Sequence, residues 1–428
     1  MSVAFGCWGI ALAALSYLVE DSPVRPHGAG ARLEVTRVAL LSHERAQVGH
    51  CTTEDGVVYG RLRPGQPIPP VDPCGGGRSV GGSGEGHTFA ATADLGATVI
   101  IPCRNEANHI ERCLESVLAW DDIPGGFEVI VADGMSDDGT REILGRVVAR
   151  DRRVRVIDNV DRTTSHGLNS AVAIARGRLI ARVDAHTEYS SDYLRRCVEA
   201  QCATGAWNVG GAARTRPSGY VSRAIAAAYA CPFAVGTGSF HQERYEGATD
   251  TVPYGCWPRS TFEAVGLFDT QLTRNQDDEH NLRIRSAGGE VWQSASIRSW
   301  YTTRSSLGKL WRQYYQYGMY KVLVFRKHGR HASWRHFVPG AFVLSLPIAA
   351  LPSVFHPLHH AAQIGLVAYA GAMGVACVAT ARRAGWDLLP LLPVVFATYH
   401  LSYGTGYLAG IVRFILCRRS VRDPGLSR

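Results

Sequence analysis

The hydrophobic positions between residues 97 and 184 alternate between short apolar runs and longer stretches with helical spacing. The apolar runs predict β-strands and are, in chain order, ATVII (97–101), FEVIVAD (127–133), VRVID (154–158) and RLIARVD (178–184). The stretches with helical spacing are 105–120, 138–150 and 165–175. Strands that alternate with helices predict an α/β fold, in which a mainly parallel sheet carries helices on both faces.

A second, more hydrophobic region extends from Phe337 to about Cys417. FVPGAFVLSLPIAALPSVF (337–355) and AAQIGLVAYAGAMGVACVAT (361–380) each have about the 20 residues that a membrane-spanning helix needs. The third apolar stretch, 388–416, is longer and has glycines in its middle, so it fits one tilted helix or a broken pair. The pattern predicts C-terminal transmembrane helices over 337–417, about three of them, or four if the last stretch is broken.

The remaining segments complete the predicted domain organisation. Residues 1–90 end in a Gly/Pro/Ser-rich linker and are expected to be poorly structured. Residues 91–304 hold the α/β domain. Residues 305–336 mix aromatic and basic side chains, as an interfacial segment on a membrane does, and 418–428 form a basic tail.

Charge and motif content narrow the function classes. The formal net charge of +8 suggests an anionic partner, such as a phosphorylated substrate or an acidic membrane surface. Nucleic acid is not the expected partner, because the sequence has no basic arm with interleaved aromatics. It also lacks G-x-G-x-x-G after the first strand, a P-loop motif and H-E-x-x-H. These absences argue against a dinucleotide oxidoreductase, a P-loop ATPase and a zinc protease.

Two acidic residues stand at the carboxyl ends of predicted strands. Asp133 ends the second strand and Asp184 the fourth, so both carboxylates are expected to face one crevice. His186 follows two residues after Asp184, and this pair could hold a divalent cation whose other ligands are phosphate oxygens. Taken alone, Asp184-Ala185-His186 fits a polar strand end equally well.

A third acidic segment, TRNQDDEHNLRIRSAGG (273–289), has consecutive acids at Asp277, Asp278 and Glu279. Acidic residues in a first helical turn are favourable for the helix dipole, which is one interpretation. The other is that one of these carboxylates is a general base that deprotonates an acceptor hydroxyl.

Together these segments resemble the family 2 glycosyltransferases, which are inverting enzymes of the GT-A type that use nucleotide sugars. The resemblance rests on four motifs in the order of the family: ATVIIPCRNEANHIERCLESVLAW (97–120), FEVIVADGMSDDGT (127–140), ARVDAH (181–186) at the D-x-D position, and NQDDEHNLRIRSAGG (275–289) at the catalytic segment. Four motifs in order are far more specific than any one alone.

The resemblance implies roles on the donor side of the site. Pro102, Glu106 and Asp133 should contact the nucleotide. Asp184 should face the ribose and diphosphate and, with His186, bind the metal. The implied cofactor is a divalent metal, Mn²⁺ or Mg²⁺, and D-x-H in place of D-x-D leaves the choice of metal open.

The resemblance also implies roles on the catalytic side. Asp277 corresponds to the catalytic base, because it lies six residues before Arg283, as the base of the family does before its arginine. Gln276 replaces the usual glutamate of that motif, so Asp278 stays an alternative. Glu279 is expected to support the base or the acceptor.

The acceptor side is implied by PYGCWPRSTFEAVGLFD (253–269), in which Gly255, Cys256 and Arg259 are candidate acceptor contacts. Gln313, in LWRQYYQYGMYK (310–321), is a further candidate. That stretch lacks the Q-x-x-R-W motif of processive synthases.

The expected function is that of the succinoglycan-type exopolysaccharide glucosyltransferases of bacteria, which this sequence resembles most. A single sugar, expected to be glucose from UDP-glucose, would pass to a hydroxyl of a polyprenyl-diphosphate-linked oligosaccharide. The enzyme would be a multi-pass protein of the inner membrane, with its catalytic domain in the cytoplasm. A processive synthase and a non-catalytic nucleotide-sugar-binding membrane subunit are the alternatives.

Overall fold

The computed structural model describes residues 95–329, 336–350 and 356–417. The predicted extension 1–90 and basic tail 418–428 lie outside these residues. The strands are β1 Ala97–Cys103, β2 Phe127–Asp133, β3 Val154–Asp158, β4 Leu179–Arg182, β5 Thr187–Tyr189, β6 Asn208–Gly210, β7 Arg214–Arg216, β8 Gly247–Ala248, β9 Cys256–Pro258, β10 Val291–Gln293 and β11 Ser299–Thr302.

The α-helices are α1 Ile110–Leu118, α2 Thr140–Arg150, α3 Thr164–Ile174, α4 Tyr193–Thr204, α5 Tyr220–Tyr229, α6 Pro232–Val235, α7 Arg259–Val265, α8 Gln276–Ser286, α9 Leu307–His328, α10 Val338–Ala350, α11 His356–Ala384 and α12 Leu392–Gly410. A π-helical segment, Ile411–Leu416, extends α12. Two 3-10 turns, Ser239–His241 and Trp386–Leu388, complete the regular structure of the described residues.

The strands and helices predicted between residues 97 and 184 are confirmed. β1 and β2 are buried on both faces, which is why they read as continuous apolar runs rather than as alternating ones. β1 to β4 pair in parallel in the order β3-β2-β1-β4, with α1 to α4 packed around them. The carboxyl ends of these strands therefore share one edge, which is where a crevice for ligands forms.

The sheet is extended beyond β4 by β9, β6, β10 and β8, and β9 runs antiparallel to β4. A smaller sheet, β5-β11-β7, begins three residues after Asp184. The chain direction of β9 matters for the site, because a residue that follows β9 lies at the amino end of β4, away from the crevice.

The segment predicted to be interfacial folds as α9, a helix that joins the catalytic domain to the C-terminal helices. Several of its side chains are fully buried, among them Leu310, Tyr320 and Val324. The Nδ2 of Asn275, just before α8, donates to the carbonyl of Tyr317 at 3.0 Å, and Tyr320 donates to Thr273 at 3.1 Å. α9 thus holds the chain that leads into α8.

The three predicted membrane spans are not confirmed. Within the described residues one helix, Pro357–Ala384, is long and apolar enough to cross a membrane. α10 has 13 residues and contains Pro347, so its length of ~20 Å is short of the ~30 Å hydrocarbon core of a bilayer.

α12, from the third apolar stretch, is held by protein contacts along its length. Phe396 is fully buried, Tyr399 donates to the carbonyl of Ile225 at 3.2 Å, and a ring nitrogen of His400 lies 2.7 Å from the carbonyl of Phe233. The apolar side chains of α12 therefore pack in a protein core together with α5 and α6. A helix that is hydrophobic on all sides can lie in a protein core or in a membrane, and hydropathy alone does not distinguish the two environments.

Glycines allow α12 to approach its neighbours closely. A Cβ on Gly410 would lie 2.7 Å from the carbonyl oxygen of Met319 on α9. A Cβ on Gly406 would overlap the carbonyl of Tyr315, and one on Gly404 would overlap that of Pro339. These three positions permit backbone contact between the helices, as small residues do in tightly packed helix pairs.

We expect Gly406→Ala to lower the free energy of unfolding by up to about 3 kcal/mol, because the new methyl group meets backbone rather than a movable side chain. Denaturant unfolding of the purified protein measures the change. Gly308→Ala on α9 is the matched control, since nothing lies within 4 Å of its Cβ position. Its expected effect is neutral to stabilising by about 1 kcal/mol. Equal effects of the two changes would show that α9 and α12 are not in close contact.

Candidate active site

Two loops at the carboxyl edge of the sheet are joined by side-chain hydrogen bonds. Asn105 donates from Nδ2 to Asp137 at 2.9 Å, and the backbone N–H of Ala107 donates to Asp138 at 3.1 Å. Asn105 has a left-handed backbone with φ of 56°, which asparagine tolerates better than most residues. These contacts fix the loop after β1 against the loop after β2.

Asp133 lies at the floor of this region and is fully buried. Its carboxylate accepts from the backbone N–H of Ser136 at 3.1 Å and pairs with Arg141 at 3.2 Å. Pro102, on the neighbouring strand, pairs with Ala132. Asp133 and Pro102 therefore share the same edge, and Asp133 shapes the loop 134–139 from below.

Arg182 is the charged centre of the crevice. Its side chain is 5% exposed, and its Nε lies 3.0 Å from Oδ1 of Asp184. The same guanidinium forms a short ion pair with Asp277, the second residue of α8. The structure thus brings the two carboxylates predicted from separate motifs, Asp184 and Asp277, onto one buried cation.

The environment of Asp277 changes its titration. Burial raises the pKa of Asp277 more than the Arg182 guanidinium lowers it, and the nearby Asp184 charge raises it further, to about 6. A carboxylate with a pKa near 6 is a better proton acceptor than a solvated aspartate and is still largely ionised at pH 7.

Asp184 and His186 follow one another into the crevice from the end of β4. The backbone N–H of Asp184 donates to the hydroxyl of Tyr189 at 2.9 Å. Nδ1 of His186 lies 3.2 Å from Oε1 of Glu106. Burial alone would lower the pKa of His186, but the Glu106 hydrogen bond and the Asp184 charge outweigh it and raise the pKa.

These residues fit a divalent metal. When Nδ1–H of His186 donates to Glu106, Nε2 keeps its lone pair, which is how metal-ligating histidines are usually oriented. Asp184 supplies an oxygen ligand two residues away. Two protein ligands leave room for phosphate oxygens, as Mg²⁺ and Mn²⁺ sites with nucleotides do. The described residues hold no group of three or more ligating side chains.

Asp278 and Glu279 face away from Asp184, towards α9. Asp278 forms a short ion pair with Lys321. Glu279 is 3% exposed and lies 2.9 Å from both Arg283 and His328. Burial would raise the pKa of Glu279, but the bonds to His328 and Arg283 outweigh it and lower the pKa to about 2.

The structure brings only part of the predicted acceptor segment to the crevice. The carbonyl of Gly255 accepts from the backbone N–H of Arg182 at 3.0 Å, so Gly255 borders the site. Cys256 is fully buried in the core. Arg259 lies at the opposite edge, where its guanidinium donates to the carbonyl of Ala175 at 2.7 Å. The reason is the antiparallel direction of β9, which carries the chain away from the crevice.

Gln313 on α9 belongs to a short polar chain above the crevice. Its Oε1 accepts from Nε of Arg304 at 3.0 Å, and its Nε2 donates to the hydroxyl of Tyr317 at 3.0 Å. Arg304 also lies close enough to His186 for its charge to oppose the rise in that pKa. Gln313 thus orients neighbours of the predicted metal ligand.

Comparison with known proteins decides the family. The profile described as "Glycosyl transferase family 2" matches residues 98–258. The succinoglycan biosynthesis protein ExoA of Rhizobium meliloti (strain 1021) is 33% identical over 326 residues, which are 74% of this chain and 95% of ExoA. The chain belongs to glycosyltransferase family 2. It is therefore a glycosyltransferase of GT-A-like α/β fold, with a role in polysaccharide or glycan synthesis.

Two further relatives extend the comparison. The dolichyl N-acetyl-alpha-D-glucosaminyl phosphate 3-beta-D-2,3-diacetamido-2,3-dideoxy-beta-D-glucuronosyltransferase of Methanococcus voltae is 24% identical, over 74% of this chain and 97% of its own. The solved structure of the mannosyltransferase PcManGT from Pyrobaculum calidifontis, in complex with GDP-Man and Mn²⁺, is 20% identical. It aligns with a TM-score of 0.48 over 76% of this chain and 90% of its own.

Arg182 is the site residue of this family 2 glycosyltransferase that motif reasoning missed. The sequence pattern of ARVDAH points to its Asp and His as ligands and gives the arginine no role. A signal was present, because an arginine inside an otherwise apolar strand run must be paired when it is buried. Its partners lie two and 95 residues away in sequence, and only the fold identifies the second.

Proposed function

We propose that the chain transfers one sugar from a nucleotide sugar to a hydroxyl of a glycan, with inversion at the anomeric carbon. The observation that carries the proposal is the single Arg182 guanidinium that binds both Asp184, on the donor side, and Asp277. A proton acceptor is thereby held beside the place where the diphosphate is expected to lie.

Asp277 takes the proton of the acceptor hydroxyl while that oxygen forms a bond to the anomeric carbon. The bond from the anomeric carbon to the diphosphate oxygen breaks on the opposite face, and its electron pair leaves with the nucleoside diphosphate. Asp277 is favoured over Asp278 because Asp277 shares the Arg182 guanidinium with Asp184, whereas Asp278 pairs with Lys321 on α9.

A divalent metal, when bound, supplies charge neutralisation for the leaving diphosphate. Asp184 and His186 are the residues proposed to hold it, and Glu106 orients the imidazole through Nδ1. The mixture of one carboxylate and one imidazole suits Mn²⁺ better than Mg²⁺.

We expect His186→Ala to weaken Mn²⁺ binding roughly tenfold or more, because one of two protein ligands is lost. The measurement is the electron paramagnetic resonance signal of free Mn²⁺ during titration of the protein with UDP present. His186→Asp restores an oxygen ligand and should retain binding with a shift towards Mg²⁺. Unchanged Mn²⁺ affinity in His186→Ala would remove this residue from the metal site.

Donor and acceptor are proposed from the relatives. The name of the Methanococcus voltae relative includes a dolichyl phosphate glycan, which supports a polyprenyl-diphosphate-linked oligosaccharide as the proposed acceptor. UDP-glucose is the proposed donor because the sequence motifs resemble those of the succinoglycan-type glucosyltransferases, and ExoA acts in succinoglycan biosynthesis. Addition of a single sugar is proposed over processive synthesis, because the aromatic stretch on α9 lacks Q-x-x-R-W.

Attachment to the cytoplasmic face of the inner membrane is also proposed. α11 supports it, because its apolar side chains point outward: Ile364 is 71% exposed and Val367 is 74% exposed. Exposed apolar side chains along a helix of this length suit contact with lipid rather than water.

The proposed donor specificity is tested with purified protein in detergent and a panel of nucleotide sugars, with nucleotide release measured in Mn²⁺ or Mg²⁺. Release from UDP-glucose that depends on the cation is the expected result. Release from another nucleotide sugar alone would change the donor, and release from none of them would contradict the proposed function.

A further inference from the structure

A group of five tyrosines lies beside the turn that follows Asp184 and the start of α8. We call this group the tyrosine wall, and its members are Tyr229, Tyr254, Tyr301, Tyr314 and Tyr317. Each is partly exposed rather than buried. They come from α5, the segment before β9, β11 and α9, so the group is assembled by the fold and not by one motif.

The rings contact one another. The ring centres of Tyr229 and Tyr301 are 6.0 Å apart, and those of Tyr314 and Tyr317 are 5.4 Å apart. Both pairs have nearly edge-to-face geometry, which is favourable for aromatic rings. His241 packs against Tyr229 from behind, with centres 4.5 Å apart.

The wall lies against the catalytic residues. The carbonyl of Tyr317 accepts from Asn275, which stands two residues before Asp277. Tyr254 lies on the opposite flank, where its hydroxyl is 2.9 Å from that of Thr187. Burial, and then the Asp184 carboxylate, raises the pKa of Tyr254, which places its hydroxyl within range of that charge.

Tyr254 also has a strained backbone. Its φ is 63°, in the left-handed region that a bulky side chain rarely adopts. Such strain costs about 1–3 kcal/mol and tends to occur at functional sites. Here it turns the ring towards Thr187 and Tyr189, whose ring centre is 5.8 Å away.

The chemistry of the wall selects a class of ligand. Partly exposed phenol rings offer apolar faces to the C–H groups of a pyranose, and their hydroxyls can bond its hydroxyl groups. A phosphate group would instead need charge-assisted donors. The side chains of the wall are uncharged, and the neighbouring Arg304 is already bonded to Gln313.

We propose that the tyrosine wall binds a pyranose ring at the end of the acceptor, so that the enzyme extends an existing glycan rather than glycosylating a bare polyprenyl phosphate. This inference rests on the proposed function, which supplies Asp277 as the base beside that ring. Tyr229 and Tyr301 are specificity-determining residues in this account.

The test compares two acceptor classes with the purified full-length protein. The acceptors are octyl β-pyranosides of glucose, galactose and N-acetylglucosamine, and farnesyl phosphate. Transfer to at least one octyl pyranoside, and none to farnesyl phosphate, is expected. Transfer only to farnesyl phosphate, or to no octyl pyranoside while nucleotide release in water persists, would overturn the inference. Absence of nucleotide release from every donor would instead count against the proposed function itself.

Variants of the wall locate the binding site. Tyr301→Leu and Tyr229→Leu should each raise the KM for the accepted pyranoside roughly threefold to tenfold, because the ring face is lost. Donor hydrolysis in water should be unchanged, which shows that the fold is retained. Tyr301→Phe keeps the ring and should stay within about twofold of the parent KM. The matched control is Tyr220→Leu, because Tyr220 is exposed and its hydroxyl donates to the carbonyl of Asp387. An unchanged KM in both Leu variants would overturn the inference.

Discussion

Asp277→Asn is expected to lower kcat by ~10²- to 10⁴-fold while the KM for the nucleotide sugar stays close to that of the parent protein. The amide cannot accept the proton of the acceptor hydroxyl, but it keeps the size of the side chain in the first turn of α8. Its oxygen can still accept a hydrogen bond from Arg182. Steady-state kinetics with saturating acceptor measure the loss.

Asp278→Asn is the matched control because it is the neighbouring residue and carries the same change. Asp278 pairs with Lys321 on α9 instead of Arg182, so its replacement should lower kcat less than about tenfold. If Asp278→Asn abolished transfer and Asp277→Asn did not, the base would be Asp278. The parent enzyme should also lose activity as the pH falls through about 6, where Asp277 becomes protonated.

Arg182→Met is expected to have the largest effect on stability. It leaves the carboxylates of Asp184 and Asp277 without the cation they share, and their repulsion is then opposed only by solvent. Breaking a buried pair from one side typically costs about 3–5 kcal/mol. The carboxylates here are 22% and 26% exposed, so we expect about 2–4 kcal/mol at pH 7, measured by denaturant unfolding.

The pH dependence of the stability of Arg182→Met distinguishes loss of the ion pair from a general packing defect. In the folded protein the pKa of Asp277 is already raised to about 6, and loss of Arg182 should raise it further. The folded state then binds more protons than the unfolded state between the two pKa values, so stability falls as the pH rises. The defect of Arg182→Met should therefore shrink at pH 5, and the acid limb of its residual activity should move to higher pH.

Arg223→Met is the control for loss of an arginine as such. Arg223 pairs with Asp387 at 3.0 Å on the surface, where both side chains are about half exposed, and its loss should cost less than about 1 kcal/mol. Equal pH profiles for parent and Arg182→Met would show that Arg182 does not control Asp277.

The sequence predicted the parallel part of the sheet well, for a physical reason. Parallel strands that are buried on both faces have continuous apolar sequences, and their carboxyl ends lie at the same edge of the sheet. The positions of Asp133 and Asp184 at that edge therefore follow from the sequence. The antiparallel β9 has no such local signature. Its direction decides that Gly255 reaches the crevice while Arg259 does not, and that direction follows from pairing between distant segments.

The C-terminal region shows a different limit. The apolar stretch of α12 has the composition of a membrane span, but Phe396 and Tyr399 pack against the catalytic domain, and Gly406 meets α9. High hydropathy shows that a helix is buried away from water, but it does not distinguish burial in lipid from burial in protein. The Arg182 pair with Asp277 was hidden for a related reason, since ion pairs across 95 residues leave no pattern in a linear sequence.

The most direct test of the central claim is the anomeric configuration and mass of the product formed from UDP-glucose by the parent protein and by Asp277→Asn. We predict that the acceptor gains one hexose in β linkage, inverted from the α linkage of the donor, and that Asp277→Asn forms almost no product. An α-linked product, or equal amounts of product from the two proteins, would contradict it.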